Sequence, residues 1–497
     1  MHVAAGVRML GVAALVVVVP TAGLAAGSTT PAAAANPVIS SVAPDPSVAR
    51  GADGAFHVYA TSDDWADGAG HRLVPHFRSF DLVEWEYVGD TFSTRPRWAP
   101  PISFLWAPDV HVTDDGAVMY YTTGGGRPCI GRATAPGIEG PWTHDEREIV
   151  CHGEYRGELL DPMDPEVVFT DHGPVMFMGN FEGIHAVPMN DAGTELDGDP
   201  VRVAGTGVEA PAVVARDGYT HLFTSAGLCC NGEGSQYRVL GGRAGDLMGP
   251  YETRDGDPLT DRLAGDVILQ GDDDWVGPGH VDVVTDDADQ DWMIYHAAPR
   301  GNAVLPGGTQ RRYMMLDRLD WVTVPGTGGT WPVVGDGTPS SSRSADPAVT
   351  LPVRLTAEGD VRVRRGGGDD GEVLDLAVRV DSTGSAYSGE LMATITGPQK
   401  QRQALPIVAE DGPDLAAMPV TVPAGDSLEQ ALTLRPSTPL EPGRYELVVS
   451  IGQAGTVQEL AVFGLEVAGD GSLSLGSGAL GSASLGQVPF GSVPFGS

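Results

Sequence analysis

Positive charge is scarce in this chain: 30 Lys and Arg stand against 66 Asp and Glu, a formal net charge of -36. Nucleic acid and anionic lipid need clustered Lys and Arg to neutralise their phosphates, so both are excluded as partners and a neutral ligand is favoured. Cysteine is scarcer still, with only Cys129, Cys151, Cys229 and Cys230. None has the Cys-x-x-Cys spacing of a zinc site. If all four are bridged, three pairings are possible. Cys129 with Cys151 closes the simplest local loop, and it leaves Cys229 and Cys230 as a vicinal bridge or as two thiols.

Long apolar runs are also missing. The most apolar stretch, Met9 to Val19, is too short to span a bilayer; Arg8 precedes it, and small residues follow, with cleavage expected after Ala26 or Ala35. This is the pattern of a secretory signal over residues 1–35, so the protein is expected to be secreted, extracellular and free of any membrane span. Sustained helical periodicity is nearly absent as well. Short apolar stretches broken by Asp-Gly, Gly-Pro and Asn-Gly turn signals fill the next 300 residues, which predicts an all-β fold.

Within those stretches one pattern recurs five times. A polar side chain in a short apolar-flanked segment is followed, 11 to 15 residues later, by an aromatic: Asp45 to Tyr59, Asp109 to Tyr120, Asp164 to Phe177, Glu209 to Phe223 and His280 to Tyr295. The spacing between repeats suits a four-stranded blade with its loops, so residues 36–338 are expected to form a five-bladed β-propeller. The innermost strands of such a ring line a central channel, and the five marked side chains should meet at one end of it. Asp-Gly turns at Asp53, Asp115 and Asp217 should join the first two strands of their blades.

A Ser-, Gly- and Pro-rich linker at 339–347 follows the propeller. Alternating apolar and polar residues from 348 to 468 predict a smaller β-sandwich, read as a spacer or accessory domain. The last segment, 469–497, is nearly uncharged and of low complexity, and repeats Val-Pro-Phe-Gly-Ser. A flexible tail is expected there.

Three carboxylates at one channel mouth suit glycoside hydrolysis: one directs a water, one carries a proton to the leaving oxygen, and a third tunes the second. The ordered set DPSV, LWAPDV, MDPEVVFTDHG, VEAP, CCNGEGSQY and GPGH resembles glycoside hydrolase family 43, especially its arabinan-degrading members, over roughly residues 36–335. That resemblance implies a five-bladed propeller and an inverting, secreted hydrolase of α-L-arabinofuranosyl links in arabinan or a related plant cell-wall polysaccharide. It implies Asp45 as general base, Glu209 as general acid and Asp164, preferred to the neighbouring Asp161, as the residue that raises the acid's pKa.

Further residues are implied with less definite roles. Asp109 is a candidate sugar contact or a clamp on neighbouring backbone. His280 is a candidate neighbour of a channel-bound calcium ion, or simply a hydrogen-bonded core histidine. Arg312 could reach the sugar or Glu209, and Trp106, Phe181 and Trp275 could stack on sugar faces. Many relatives carry an aromatic pair where this chain reads GNFEGI, which puts subsite specificity in question. No organic cofactor is expected, and the enzyme should act as a monomer. An exo-acting arabinofuranosidase or β-xylosidase is the alternative enzyme, and a non-catalytic glycan-binding propeller the alternative of another class.

Overall fold

The computed structural model describes residues 36–467, apart from 52–53, 342–345, 350–352, 366–371, 383–386, 399–401, 410–412, 424, 439 and 454–455, and beyond these only 473–475 and 483–484. The expected signal segment, nearly all of the tail, Asp53 of the first turn and part of the linker lie outside the described residues. Among the described residues no helix is long and apolar enough to cross a membrane.

Five antiparallel sheets follow one another along the chain. Blade 1 comprises Ser47–Arg50, Phe56–Tyr59, Pro75–Ser79 and Glu86–Asp90; blade 2 begins with Phe104–Thr113 and Gly116–Gly124; blade 3 begins with Glu166–Thr170 and Gly173–Asn180. Blade 4 comprises Val208–Arg216, Tyr219–Ala226, Arg238–Ala244 and Asp266–Leu269, and blade 5 begins with Trp275–Thr285, Asp291–Pro299 and Tyr313–Thr323. The sequence did not foretell how the ring is tied. Strand Ile39–Val42 leaves blade 1 and pairs with Tyr313–Thr323 of blade 5, Ile39 opposite Met314. Asn36 reinforces this tie, its amide donating to Asp317 at 3.1 Å and its oxygen accepting from Leu316 N–H at 2.9 Å.

The recurring aromatics are what hold each blade's first two strands. Tyr59, Tyr120, Phe177 and Phe223 lie opposite Ser47, Asp109, Glu166 and Ala212 respectively, and all are buried. This pairing corrects the register read from the sequence. The equivalent residues are those preceding a shared x-x-Val element: Asp45, Ala107, Asp164, Ala210 and His280, each with a left-handed φ between 44° and 53°. Asp109 therefore lies two positions deeper than Asp45, and Glu209 one position before its blade's kink.

Each kink is pinned by the preceding blade, which is why a conformation normally unfavourable for non-glycine residues persists. The N–H groups of Ala107, Asp164 and His280 donate to the hydroxyls of Thr61, Thr122 and Ser225, and that of Asp45 to His296 Nδ1. Two residues deeper runs a second ring of contacts. Ser47, Asp109, Glu166 and Asp282 each accept the N–H of a valine on the next innermost strand, Val110, Val167, Val213 and Val48. Ala212 has no acceptor to offer, and at that joint Val283 N–H turns to Asp282 instead.

Asp109 is thus placed as a clasp between blades, the clamp on neighbouring backbone that the sequence offered as one of its two readings. Its Oδ2 takes Val167 N–H at 2.8 Å and faces His111 Nε2 at 2.9 Å. Asp109→Ala is expected to cost about 1–3 kcal/mol, since it strands a buried N–H. Denaturant unfolding reads this directly, and a midpoint equal to that of the unaltered protein would remove the clasp.

The C-terminal strands form two more sheets, one built on Val353–Arg365, Glu372–Ser382 and Ser427–Leu434 and one on Tyr387–Thr396, Gly443–Gln453 and Thr456–Val467. Their inward residues, among them Leu376, Val378, Leu391, Ile395, Leu447 and Val449, make a single apolar core. Alternation along Tyr387–Thr396 and Ser427–Leu434 buries one face of each strand, as a sandwich requires.

Candidate active site

A cavity of about 410 Å³ opens at the end of the channel where the five kinks lie. Asp45, Asp164, Glu209, His280, Arg312 and Trp106 all line it, so six of the residues singled out in the sequence converge. Asp109 does not, for the reason given above. Phe181 sits outside the cavity on an exposed turn, where its neighbour Asn180 points in instead. Trp275 is buried among Phe223, Met293 and Tyr295 as part of the packing between blades 4 and 5. Asp161 is also outside, which leaves Asp164 as the carboxylate that faces the cavity.

Asp45 is surrounded by nitrogen. Arg312 Nη1 lies 3.1 and 3.2 Å from its two carboxylate oxygens, while Arg312 Nη2 reaches Asp63 Oδ2 at 3.3 Å. His280 Nδ1 stands 3.3 Å from Asp45 Oδ1 and His296 Nδ1 3.2 Å. Burial opposes the charge on Asp45, but Arg312 first and the histidines after it outweigh that penalty and hold its carboxyl well below 3.8. Burial pushes His280 down to about 4, so its ring is neutral near pH 7 and Arg312 is the permanent cation. Asp45 is a carboxylate at any working pH.

The other two carboxyls behave oppositely. Burial pushes Glu209 up to about 7, only partly countered by a hydrogen bond from Tyr237, while the charge of Asp45 pushes it the same way. Asp164 is raised well above 3.8, by burial first and then by Glu209. Its Oδ2 accepts the N–H of Ala210, the residue after Glu209, at 3.2 Å. Two facing carboxyls in a dry site cannot both ionise cheaply, so the pair keeps a proton that an isolated carboxyl would have lost.

One wall of the cavity is aromatic. Trp106 and Phe104 lie parallel with ring centres 5.9 Å apart, and His71 meets Phe104 edge-on. Trp106 rests flat on Gly124, where a Cβ would come within 2.1 Å of the indole. That close approach is what the glycine permits.

The calcium expected beside His280 finds few protein donors. Calcium takes 6–8 oxygen ligands, and among the described residues no three His, Cys, Asp or Glu side chains are grouped to hold an ion. His280 offers one neutral imidazole, already turned toward Asp45. The donor set suits only an ion held chiefly by water.

Known proteins decide the family. The profile described as "Glycosyl hydrolases family 43" matches residues 34–323, more than half of the chain. The chain belongs to glycosyl hydrolase family 43. This family 43 member is 28% identical over 250 residues to an extracellular exo-α-(1→5)-L-arabinofuranosidase of Cellvibrio japonicus, covering 44% of this chain and 72% of that one. It is 25% identical over 278 residues to an extracellular endo-α-(1→5)-L-arabinanase of Bacillus subtilis, covering 53% and 81%. The solved structure of Cellvibrio cellulosa α-L-arabinanase superposes with a TM-score of 0.51 at 24% identity, over 59% of this chain and 96% of that one, a likeness of fold. As a family 43 member the protein is a glycosidase, and the architecture is the five-bladed propeller of its neighbours.

Several residues of this site escaped the sequence. Asp63 and His296 carry no motif, although His296 directly follows Tyr295, as Thr61, Thr122 and Ser225 each stand two residues beyond a repeat aromatic. Tyr237 closes the CCNGEGSQY segment, so its signal was present without a role. Arg312 meets Asp45, not Glu209.

Proposed function

We propose that this family 43 enzyme is a secreted, inverting hydrolase of α-L-arabinofuranosyl linkages in arabinan. The observation that carries the reading is the split in one cavity between a carboxylate kept ionised by Arg312 and a carboxyl pair that retains a proton. Such a split supports dividing the roles of base and acid between them, as general acid–base chemistry requires. Asp45 is the base that takes a proton from water, Glu209 the acid that protonates the departing oxygen, and Asp164 the neighbour that keeps Glu209 protonated. Arabinan as substrate is supported by the named activities of the two relatives, one exo- and one endo-acting on the same linkage. Secretion is supported by the N-terminal signal pattern, by the two disulfides and by the extracellular description of both relatives.

The neutral His280 ring and Arg312 fix Asp45 in orientation without taking its proton-accepting role. A calcium ion beside His280 would have that imidazole as its protein ligand and would add local positive charge. The steps above need only the chain's own residues.

Linear arabinan is the test substrate, with the anomer followed by proton NMR during the first turnovers. Inversion at an α-linkage releases β-arabinose termini first; release of the α-anomer, or no hydrolysis, would overturn the reading. The acid form of Glu209 is required, so the rate should fall as pH rises through about 7. Asp164→Asn removes a negative charge beside that acid and lowers its pKa, moving this limb to lower pH. A limb that stays in place would exclude Asp164 as the tuning residue.

A further inference from the structure

Part of the cavity lining is a bridge between adjacent residues, Cys229 and Cys230. It sits on the loop joining strands Tyr219–Ala226 and Arg238–Ala244 of blade 4, and both ends of that loop flank Glu209. Ser225, just before it, pairs with Glu209 across the sheet, and Tyr237, at its other end, hydrogen-bonds the Glu209 carboxyl. The neck is pinched: a Cβ on Gly227 would come within 2.5 Å of Gln236 O.

This loop is held in place before any ligand arrives. Glu233 accepts the N–H groups of Gly301 and Ala303 at 3.0 and 2.9 Å, Gly232 N–H donates to Gln310 at 2.7 Å, and Ser235 Oγ donates to Leu228 O at 2.8 Å. Cys230 is nevertheless exposed and Cys229 only half-buried. A fixed apolar surface of sulfur and methylene groups therefore faces the cavity, beside the exposed Leu228.

Tyr237, the aromatic on this wall, stacks on His296, is nearly fully buried and lies close against Gly279, so it has little ring surface to offer there. A sugar ring needs an apolar partner for its C–H face. The proton donor must lie against the oxygen that departs, and the leaving sugar extends from that oxygen away from Asp45. The loop flanking Glu209 borders that place.

We propose that the Cys229–Cys230 bridge is the platform on which the leaving arabinosyl unit rests, a specificity-determining element on the leaving-group side of the cleavage point. This deepens the arabinan reading and rests on it. A rigid platform saves ordering entropy on binding, and soft, polarisable sulfur gives good contact with a C–H face.

The test is a Cys229→Ser/Cys230→Ser variant assayed on arabinotetraose and on α-L-arabinofuranosyl fluoride, whose leaving group is a single atom. The ratio of kcat/KM on the tetraose to that on the fluoride should fall about tenfold, equivalent to about 1.4 kcal/mol, with most of the loss in KM. An equal loss on both substrates, as a merely loop-stiffening bridge would give, or no loss on either, overturns the platform and leaves the arabinan reading standing. Failure of the unaltered enzyme on both substrates overturns the arabinan reading itself. A second measurement needs no cysteine variant. In a Glu209→Gln protein a trialkylphosphine reduces each bridge, the phosphine taking oxygen from water and each sulfur gaining a proton, and mass spectrometry counts the thiols. Arabinotriose should slow reduction of Cys229–Cys230 several-fold relative to Cys129–Cys151. Equal rates with and without the sugar would count against the platform.

Discussion

Glu209→Gln should lower kcat on linear arabinan by about 10³-fold, within the range that positioned general acids contribute. The amide keeps the size of the side chain and leaves Tyr237 a partner, so the fold is preserved while the transferable proton is lost. The substrate dependence of the defect is what separates acid catalysis from binding. Fluoride departs without protonation, so α-L-arabinofuranosyl fluoride should keep most of its rate in the same variant. The limb near pH 7 should vanish from the arabinan profile, because the group pushed up to about 7 by burial is the one removed. Equal losses on both substrates would assign Glu209 to positioning, and undiminished arabinan hydrolysis would remove it from the mechanism altogether.

The propeller was legible in the sequence because its repeat combines two strong signals, a polar kink residue and a buried aromatic. The aromatic half held in detail: Tyr59, Tyr120, Phe177 and Phe223 all pack across from the innermost strand. The polar half misled at Asp109 and Glu209, because a side chain's type was weighed above its register. The Pro-x-Val spacing of Asp45, Ala107, Asp164 and Ala210 would have given the correct alignment, in which blade 2 contributes an alanine to the mouth. A slip of two carries Asp109 down its strand to the contact between blades, whereas Glu209, one position before the kink, still faces the cavity. What no local pattern could supply was the partnership of Arg312 with Asp45 and Asp63, residues 267 and 249 positions apart. Those contacts exist only once strand Ile39–Val42 has closed the ring onto blade 5 and brought the ends of the propeller together. The resemblance to family 43 named the three carboxylates; the physical reason for their unequal proton affinities lies in these long-range neighbours.

Asp45→Asn should abolish hydrolysis of arabinan and of the fluoride alike, by about 10⁴-fold, because both reactions need a deprotonated water. This common loss distinguishes a base from the acid. A stability effect accompanies it. The native pKa of Asp45 is depressed, so its charge stabilises the fold at pH above the ordinary value of 3.8, and that contribution is lost as pH falls from there through the native value. Asparagine leaves Arg312 buried with Asp63 as its remaining carboxylate, a broken ion pair of the kind that costs about 3–5 kcal/mol. Thermal unfolding at pH 7 should therefore begin lower in the variant, and the gap should narrow as the pH falls below 3.8 through the depressed native value, where the unaltered protein loses the same charge. If the gap were constant with pH, Arg312 would not be the group that holds Asp45 ionised. If the fluoride were still hydrolysed at an undiminished rate, the water would have to be activated by another group. Asp63, the other carboxylate on Arg312 and a member of the same cavity wall, would then be the first to replace.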